Sequence, residues 1–220
     1  AEDWLRLGPI PETTQAYSMA VYESQVHVGT WPTGSVYRLD GPQKWHNTGR
    51  LGEEKEVMGM LVYNGKLYAG TLPLAAVYRY DHDGWTDTGR LDETPEVRYR
   101  RAWSMAVYDG KLFCGVLPSG HVHSMEAGKS VTHDKSLASG WQHLIVSRTG
   151  NADGSGTLRL VVNGKEVASR QFNNNSSYEL SNDQPLKVGA GQHDFFNGSM
   201  RDLRVYRGKL TLRQIKGLVK

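Results

Sequence analysis

An arginine-rich stretch near the middle of the chain has the residue types needed to bind an acidic sugar. From Glu96 to Trp103 it reads EVRYRRAW, so three guanidinium groups lie beside two aromatic rings. An arginine can pair in a bidentate way with a carboxylate or sulfate, while a ring stacks on a pyranose. The candidate ligand-binding residues are therefore Arg98, Tyr99, Arg100, Arg101 and Trp103; the alternative is an ordinary solvated loop.

A second candidate platform for a sugar ring is Trp31, in the turn Thr30-Trp31-Pro32-Thr33-Gly34. A related turn, Leu117-Pro118-Ser119-Gly120, occurs later in the chain. Repeated turns of this kind would give several shallow, equivalent binding sites. Turn geometry alone also selects proline and glycine at such positions.

Three groups of residues are candidate metal ligands. Asn182, Asp183 and Asp194 offer side-chain oxygens in loops, which makes calcium the candidate cofactor. His121 and His123 would share one side of a strand, but no further zinc ligand stands at a recognisable spacing. The stretch from Asp81 to Trp85 has only part of a calcium loop, and its acids also suit a turn cap.

The motifs that would identify an enzyme are missing from the sequence. It contains no Gly-x-Ser-x-Gly, no P-loop, no dinucleotide-binding glycine pattern after a strand and no zincin helix. Paired carboxylates for glycoside hydrolysis depend on the fold, and Glu96, Asp109 and Glu126 are the residues to test. The sequence favours a non-catalytic protein and leaves an enzymatic role open.

The elements that must position these residues come from a threefold internal repeat. Residues 18–39, 59–80 and 104–125 align without a gap, and Met19, Met60 and Met105 lie 41 and 45 residues apart. This period is typical of a β-propeller blade, which has four antiparallel strands. In the second repeat the pattern predicts strands at residues 57–63, 66–71, 77–81 and 85–91, with a tight turn at Asn64-Gly65.

A glycine recurs inside the second strand of each repeat, at Gly29, Gly70 and Gly115. The missing side chain predicts a close approach of another backbone. Three blades are too few for a ring, which usually has four to eight. We therefore expect this chain to be the C-terminal piece of a longer protein, to pair with a second copy as a homodimer of six blades, or to form an open stack.

The second half of the chain predicts a different β structure. Strands are expected at residues 141–148, 157–162, 165–172, 186–189 and 198–206. A short helix follows, with Thr211 and Gln214 as its capping box.

Four motifs of this half occur in order: WQHL at 141–144, LVVNGKEV at 160–167, PLKVG at 185–189 and FNGSMRDLRVY at 196–206. Together they resemble the C-terminal half of a laminin G-like, concanavalin A-type β-sandwich. The usual N-terminal half of the sandwich is replaced by repeat sequence, so the third repeat is expected to complete the jelly roll unless the jelly roll is truncated. The resemblance implies binding of a glycan or a matrix protein and, in some members, a calcium ion.

Charge divides the chain in the same way. Residues 1–126 carry 12 Lys/Arg and 16 Asp/Glu, whereas residues 127–220 carry 14 and 7. The basic charges are dispersed, so nucleic acid is not an expected partner. No apolar run is long enough to span a membrane.

These observations predict an all-β protein with propeller-type repeats at residues 1–129 and a concanavalin A-like sandwich (jelly roll) at residues 130–220. We expect a non-catalytic, lectin-like protein that is secreted, periplasmic or on the cell surface and binds a glycan or polysaccharide, acidic ones included. The alternatives are the accessory part of a carbohydrate-active enzyme (a sialidase, glycoside hydrolase or polysaccharide lyase) and a protein-binding adhesion module.

Overall fold

The chain folds into two compact units in a computed structural model that describes residues 3–173, 188–189, 191, 195–208 and 210–218. The first unit comprises Ala1–Val107, Leu112–Met125 and Val188–Asn197. The second comprises Tyr108–Lys111, Glu126–Lys187 and Gly198–Lys220. The predicted boundary at residue 130 stays a prediction.

The described strands form four antiparallel sheets, three of which correspond to the three repeats. Repeat 1 contains β1 (Gln15–Tyr22), β2 (Gln25–Trp31), β3 (Ser35–Gly41) and β4 (Lys44–Arg50), paired in chain order. Repeat 2 contains β5 (Glu56–Tyr63), β6 (Lys66–Leu72), β7 (Ala76–Tyr80) and β8 (Trp85–Arg90), also in chain order. Repeat 3 contains β9 (Arg101–Tyr108), β10 (Lys111–Leu117) and β11 (Val122–Met125). The prediction of four strands in repeat 2 is confirmed.

The turns follow the local sequence. Asn64-Gly65 and Asp109-Gly110 have positive φ at both residues, as a type I′ hairpin requires. The equivalent residues in repeat 1, Glu23 and Ser24, adopt the same left-handed conformation without a glycine. After each second strand the peptide bond before Pro32, Pro73 or Pro118 is cis.

Successive repeats pack face to face through the recurring glycine. A Cβ placed on Gly29 would lie 2.6 Å from Val57 Cγ1, and one on Gly70 would lie 2.9 Å from Met105 Cε. Real Cβ atoms do not approach so closely, so β5 packs on repeat 1 and β9 on repeat 2 only because these positions lack a side chain. The predicted close approach of another backbone is confirmed at Gly70, where an added Cβ would meet Ala102 O, whereas at Gly29 it would meet the side chains of Ser18 and Val57. The same prediction is wrong at Gly115, whose nearest described neighbour is 4.0 Å away.

The core of the first unit lies between repeats 1 and 2. One cluster joins Val36 and Leu51 to Val57, Ala69, Ala76 and Tyr78, and a second joins Tyr22 to Val62, Leu67 and Tyr80. Met60 packs against both clusters. Cys114 of repeat 3 is buried at the position that Val28 and Ala69 occupy in the other repeats.

The second unit contains one three-stranded sheet in its described part, formed by β12 (Leu144–Gly150), β13 (Gly156–Val162) and β14 (Lys165–Phe172). Helix α1 (Leu212–Leu218) follows. Thr211 N donates to Gln214 Oε1 at 2.8 Å and Gln214 N donates to Thr211 Oγ1 at 3.3 Å, which confirms the capping box. No helix within the described residues is long and apolar enough to cross a membrane.

The strand predicted at residues 198–206 is wrong. These residues form no strand. Asp202 has a φ of +60°, which interrupts an extended backbone, and its carboxylate pairs with Arg204 two residues later at 2.8 Å. The strand predicted at residues 186–189 lies partly outside the described residues.

Candidate functional site

The connection from β8 to β9 carries the predicted arginine cluster and is tied to the turn after β6. Arg100 N donates to Pro73 O at 2.9 Å, and Leu74 and Arg100 form a parallel bridge. Leu91 N donates to Ala75 O at 3.0 Å at the start of the same connection. Both ends of the connection are therefore fixed to repeat 2.

Asp92 anchors this connection to repeat 3. Its carboxylate is buried and accepts four hydrogen bonds, from Thr94 N and Oγ1 at 2.9 and 2.6 Å and from Ser119 N and Oγ at 3.0 and 2.6 Å. Burial by itself would raise the pKa of Asp92, but these hydrogen bonds outweigh it and hold the pKa well below its usual range. Asp92 is therefore a structural anion that holds the rim of a cleft.

The cleft has a volume of about 200 Å³ and is lined by Leu74, Arg90, Asp92, Glu93 and Arg100. The Arg100 guanidinium is fixed at its edge because Nε donates to Thr94 O at 2.9 Å and Nη2 donates to the same oxygen. Nη1 has no part in this anchor. The cleft thus combines two guanidinium groups with one exposed carboxylate, that of Glu93.

The structure separates the other predicted sugar-binding residues from this cleft or gives them different partners. The Arg98 guanidinium lies 4.9 Å from the centre of the Tyr99 ring, so these two exposed side chains stack on each other. Arg101 starts β9 half-buried, and Trp103 lies two residues further with an exposed ring. Trp31 is at the end of β2 in repeat 1 and does not line the cleft.

The predicted calcium ligands Asn182, Asp183 and Asp194 lie outside the described residues. Within the described part of the chain, no group of three His, Cys, Asp or Glu side chains could hold a metal ion. The rings of His121 and His123 are close, with centres 6.2 Å apart, but belong to no such group.

The acidic stretch that begins at Asp81 has a structural role. Asp81 accepts hydrogen bonds from Arg79 at 2.8 Å and Thr86 at 2.7 Å, and Lys66 Nζ lies 3.1 Å from it. Hydrogen bonds from Arg79 first, and then from Thr86, hold the pKa of Asp81 well below its usual range. Its oxygens are thus already engaged by protein donors.

Of the three carboxylates considered for glycoside hydrolysis, Glu96 belongs to the first unit and Asp109 and Glu126 belong to the second. Asp109 and Glu126 both bind the Arg170 guanidinium, at 2.9 and 2.8 Å. The pKa of Glu126 is lowered, mainly by the hydrogen bond from Lys129. A general acid needs the opposite shift. Glu96 is an exposed residue of the β8–β9 connection with a φ of +58°.

Sequence reasoning missed Arg90, Asp92 and Glu54, and it considered Ser119 only as part of a turn that could bind a sugar. Glu54 Oε2 accepts a hydrogen bond from Leu74 N at 3.1 Å, and Leu74 is the repeat 2 counterpart of Ser119, which donates to Asp92. The same contact therefore occurs in two places: an acid that follows the fourth strand of one repeat accepts a hydrogen bond from the residue after the proline of the next repeat. The signal was available, because Arg50-Leu51 and Arg90-Leu91 each precede a short acidic stretch.

These features define an all-β protein whose repeated sheets carry a polar, arginine-lined surface cleft. The Laminin_G_3 model, described as the concanavalin A-like lectin/glucanases superfamily, matches residues 96–216, more than half of the 220 residues. The chain belongs to this superfamily. No curated protein matches the chain. The match begins in the β8–β9 connection and so includes repeat 3 as well as β12, β13 and β14.

Proposed function

We propose that this protein is a non-catalytic carbohydrate-binding protein that acts outside the cytoplasm and recognises an acidic glycan in the cleft between Arg90 and Arg100. Membership of a superfamily of lectins and glucanases supports the ligand class. The observation that carries the proposal is the Arg100 side chain, which Thr94 fixes at the edge of a cleft of about 200 Å³. A guanidinium that is already ordered loses little conformational entropy when an anion binds.

The charges of the cleft match a sugar that carries a carboxylate or sulfate. Thr94 holds the Arg100 guanidinium in place, and Arg90 is an exposed side chain that lines the same cleft. A guanidinium can bind the anionic group through two hydrogen bonds. The Glu93 carboxylate is exposed and can accept hydrogen bonds from sugar hydroxyls. Asp92 is saturated by its four protein donors, so its role is to hold the rim.

The size of the cleft limits the ligand. Its volume of about 200 Å³ is below the range of about 300–1,000 Å³ for pockets that enclose drug-sized ligands. We expect the cleft to bind one charged sugar residue, with the rest of the glycan extending over the protein surface. In this proposal the repeats serve as propeller-type blades that hold the connection rigid.

The test is binding of the purified chain to a panel of immobilised neutral and acidic glycans. Arg90→Ala and Arg100→Ala are each expected to weaken binding to an acidic glycan by about tenfold, a loss of about 1.4 kcal/mol. Arg100→Lys should not restore it, because a lysine cannot donate in a bidentate way. Arg50→Ala is the matched control, since Arg50 ends β4 as Arg90 ends β8.

Three results would contradict this proposal. Absence of binding to every glycan excludes a lectin role for this chain. Binding that Arg90→Ala and Arg100→Ala leave unchanged excludes the cleft. Binding that a chelator abolishes, and that Asp183→Asn or Asp194→Asn also abolishes, places a calcium-dependent site at those residues instead.

A further inference from the structure

Both ends of the three-repeat stack expose apolar faces that are buried wherever two repeats meet. At the repeat 3 end of the stack, this exposure is seen at a valine that recurs in the third strand of each repeat. Val36 of repeat 1 and Val77 of repeat 2 are 0% and 4% exposed, whereas the equivalent Val122 of repeat 3 is 72% exposed. Repeat 2 covers Val36, and repeat 3 follows Val77 in the stack, whereas the side chain of Val122 is exposed. We call this surface, with Gly115 and Val122, the acceptor face.

At the repeat 1 end of the stack, the exposed residue is the methionine that recurs in the first strand of each repeat. Met60 packs into both core clusters between repeats 1 and 2, and Met105 reaches Gly70 of repeat 2. The equivalent Met19 of repeat 1 is 67% exposed, and Val21, two residues further along β1 and therefore on the same side, is 37% exposed. We call this surface, with Met19 and Val21, the donor face. Exposed apolar groups in such a row indicate an interaction surface.

The two faces are complementary because the chain already contains the contact they would make. Within the chain, each contact places a first strand with its methionine side against the glycine of the preceding repeat. A Cβ on Gly115 would meet nothing closer than 4.0 Å, and that neighbour is Ser104 of its own repeat. No described residue therefore occupies, at Gly115, the slot that Gly29 and Gly70 keep open for a neighbouring strand.

We propose that two copies of this chain associate through these faces, the donor face of each packing on the acceptor face of the other. A two-fold axis then relates two equal contacts, and six repeats close into one ring, within the usual range of four to eight blades. A second copy is the occupant because each chain carries both halves of the contact. Packing of one donor face on another would leave the Gly115 slot unused.

The experiment is a measurement of molecular mass by light scattering after gel filtration, with variants of each face. The unaltered chain is expected at about 49 kDa, twice the 24.5 kDa of one chain. Met19→Glu and Val122→Glu should each give a single chain, because each places a charge in both contacts. Gly115→Val should do the same by filling the slot. Leu137→Glu, at another exposed apolar residue, is the control and should leave the dimer intact.

Mixing the two single variants distinguishes this arrangement from any other dimer. The Met19→Glu chain keeps an intact acceptor face and the Val122→Glu chain an intact donor face, so one of the two contacts can form. An equimolar mixture is therefore expected to recover species of twice the mass of one chain, which neither variant forms alone. Met19 and Val122 are exposed, so both variants should keep the circular dichroism spectrum of the unaltered chain.

An unaltered chain that remains a monomer at its highest soluble concentration overturns the proposal. So does a dimer that Met19→Glu disrupts and Val122→Glu does not, since that result indicates two donor faces in contact. A mixture that recovers no dimer also overturns it.

Discussion

Two buried acids, Glu54 and Asp92, occupy corresponding places in successive repeats yet have opposite pKa shifts. Both bind the backbone N–H of the residue after the cis-proline, Leu74 for Glu54 and Ser119 for Asp92. Burial dominates at Glu54 and raises its pKa, although Leu74, Thr71 and the charge of Arg90 act against it. At Asp92, four donors lower the pKa. At both residues burial raises the pKa and the donors lower it, so the balance between burial and donors decides the direction.

The opposite shifts predict opposite effects of pH on two amide variants. Because the pKa of Glu54 is higher in the folded state, its stabilising contribution is complete below the unfolded value near 4.5 and is lost as pH rises through the folded pKa. Glu54→Gln keeps an acceptor for Leu74 N–H and removes the charge. We expect it to gain stability relative to the unaltered chain between pH 4 and pH 8, in urea unfolding followed by tryptophan fluorescence.

Asp92→Asn is the counterpart of this experiment. The contribution of Asp92 is complete above its unfolded pKa near 3.8 and is lost as pH falls, so the variant should be less stable by about 2 kcal/mol at pH 7. The deficit should shrink in acid. Two results would contradict the assigned environments. One is a Glu54→Gln variant that loses stability relative to the unaltered chain as pH rises, and the other is an Asp92→Asn variant as stable as the unaltered chain at pH 7.

At the scale of elements, the glycine of the second strand controls how one repeat packs on the next. Gly29 and Gly70 face the neighbouring repeat at distances that no side chain tolerates, while Gly84 has open space around it. The strands themselves depend on local pairing, but their stacking depends on these two positions. Buried backbone contacts of this kind have no room to relax when a methyl group is added.

We therefore expect Gly70→Ala to destabilise the first unit by about 1–3 kcal/mol, measured as a lower urea midpoint at an unchanged slope. Gly84→Ala is the matched control, and its free energy of unfolding should change by no more than about 0.5 kcal/mol. Equal effects of the two substitutions would show that the packing at Gly70 is not limiting.

Features that depend on neighbouring residues were predictable from the sequence, while those that join distant residues were not. The strands of repeat 2, the Asn64-Gly65 turn and the Thr211 cap follow from residues at most a few positions apart. The bond between Asp92 and Ser119 joins residues 27 positions apart, and no local pattern requires it. The segment from 198 to 206 misled because its apolar spacing suits a strand, whereas Asp202 bends the backbone. Nothing in the sequence indicated that Arg98 and Tyr99, named as candidate ligand-binding residues, stack on each other.

At the scale of the whole molecule, the charge of each half bears on how an acidic ligand would be held. Residues 1–126, which include the cleft, carry four more acids than bases, and residues 127–220 carry seven more bases than acids. Long-range attraction of an acidic polymer therefore favours the second half. Short-range hydrogen bonds to Arg90 and Arg100 must provide binding in the cleft.

This division predicts how salt affects binding to an acidic glycan. Raising the ionic strength from about 0.05 M to about 0.5 M reduces the screening length severalfold and weakens contacts that depend on dispersed charges. Binding in the cleft should retain most of its affinity and remain sensitive to Arg100→Ala. Binding that disappears at the higher salt and ignores this substitution would indicate ion exchange on the basic half.

The buried Cys114 of repeat 3 gives the protein a built-in chemical probe. It is the one cysteine in the chain, and burial raises the pKa of its thiol to about 11, so the reactive thiolate is scarce in the native state at neutral pH. A thiol reagent added to the native protein can react only when the surroundings of β10 open. The labelling rate of this single sulfur therefore measures how often the third repeat loosens, without any engineered tag.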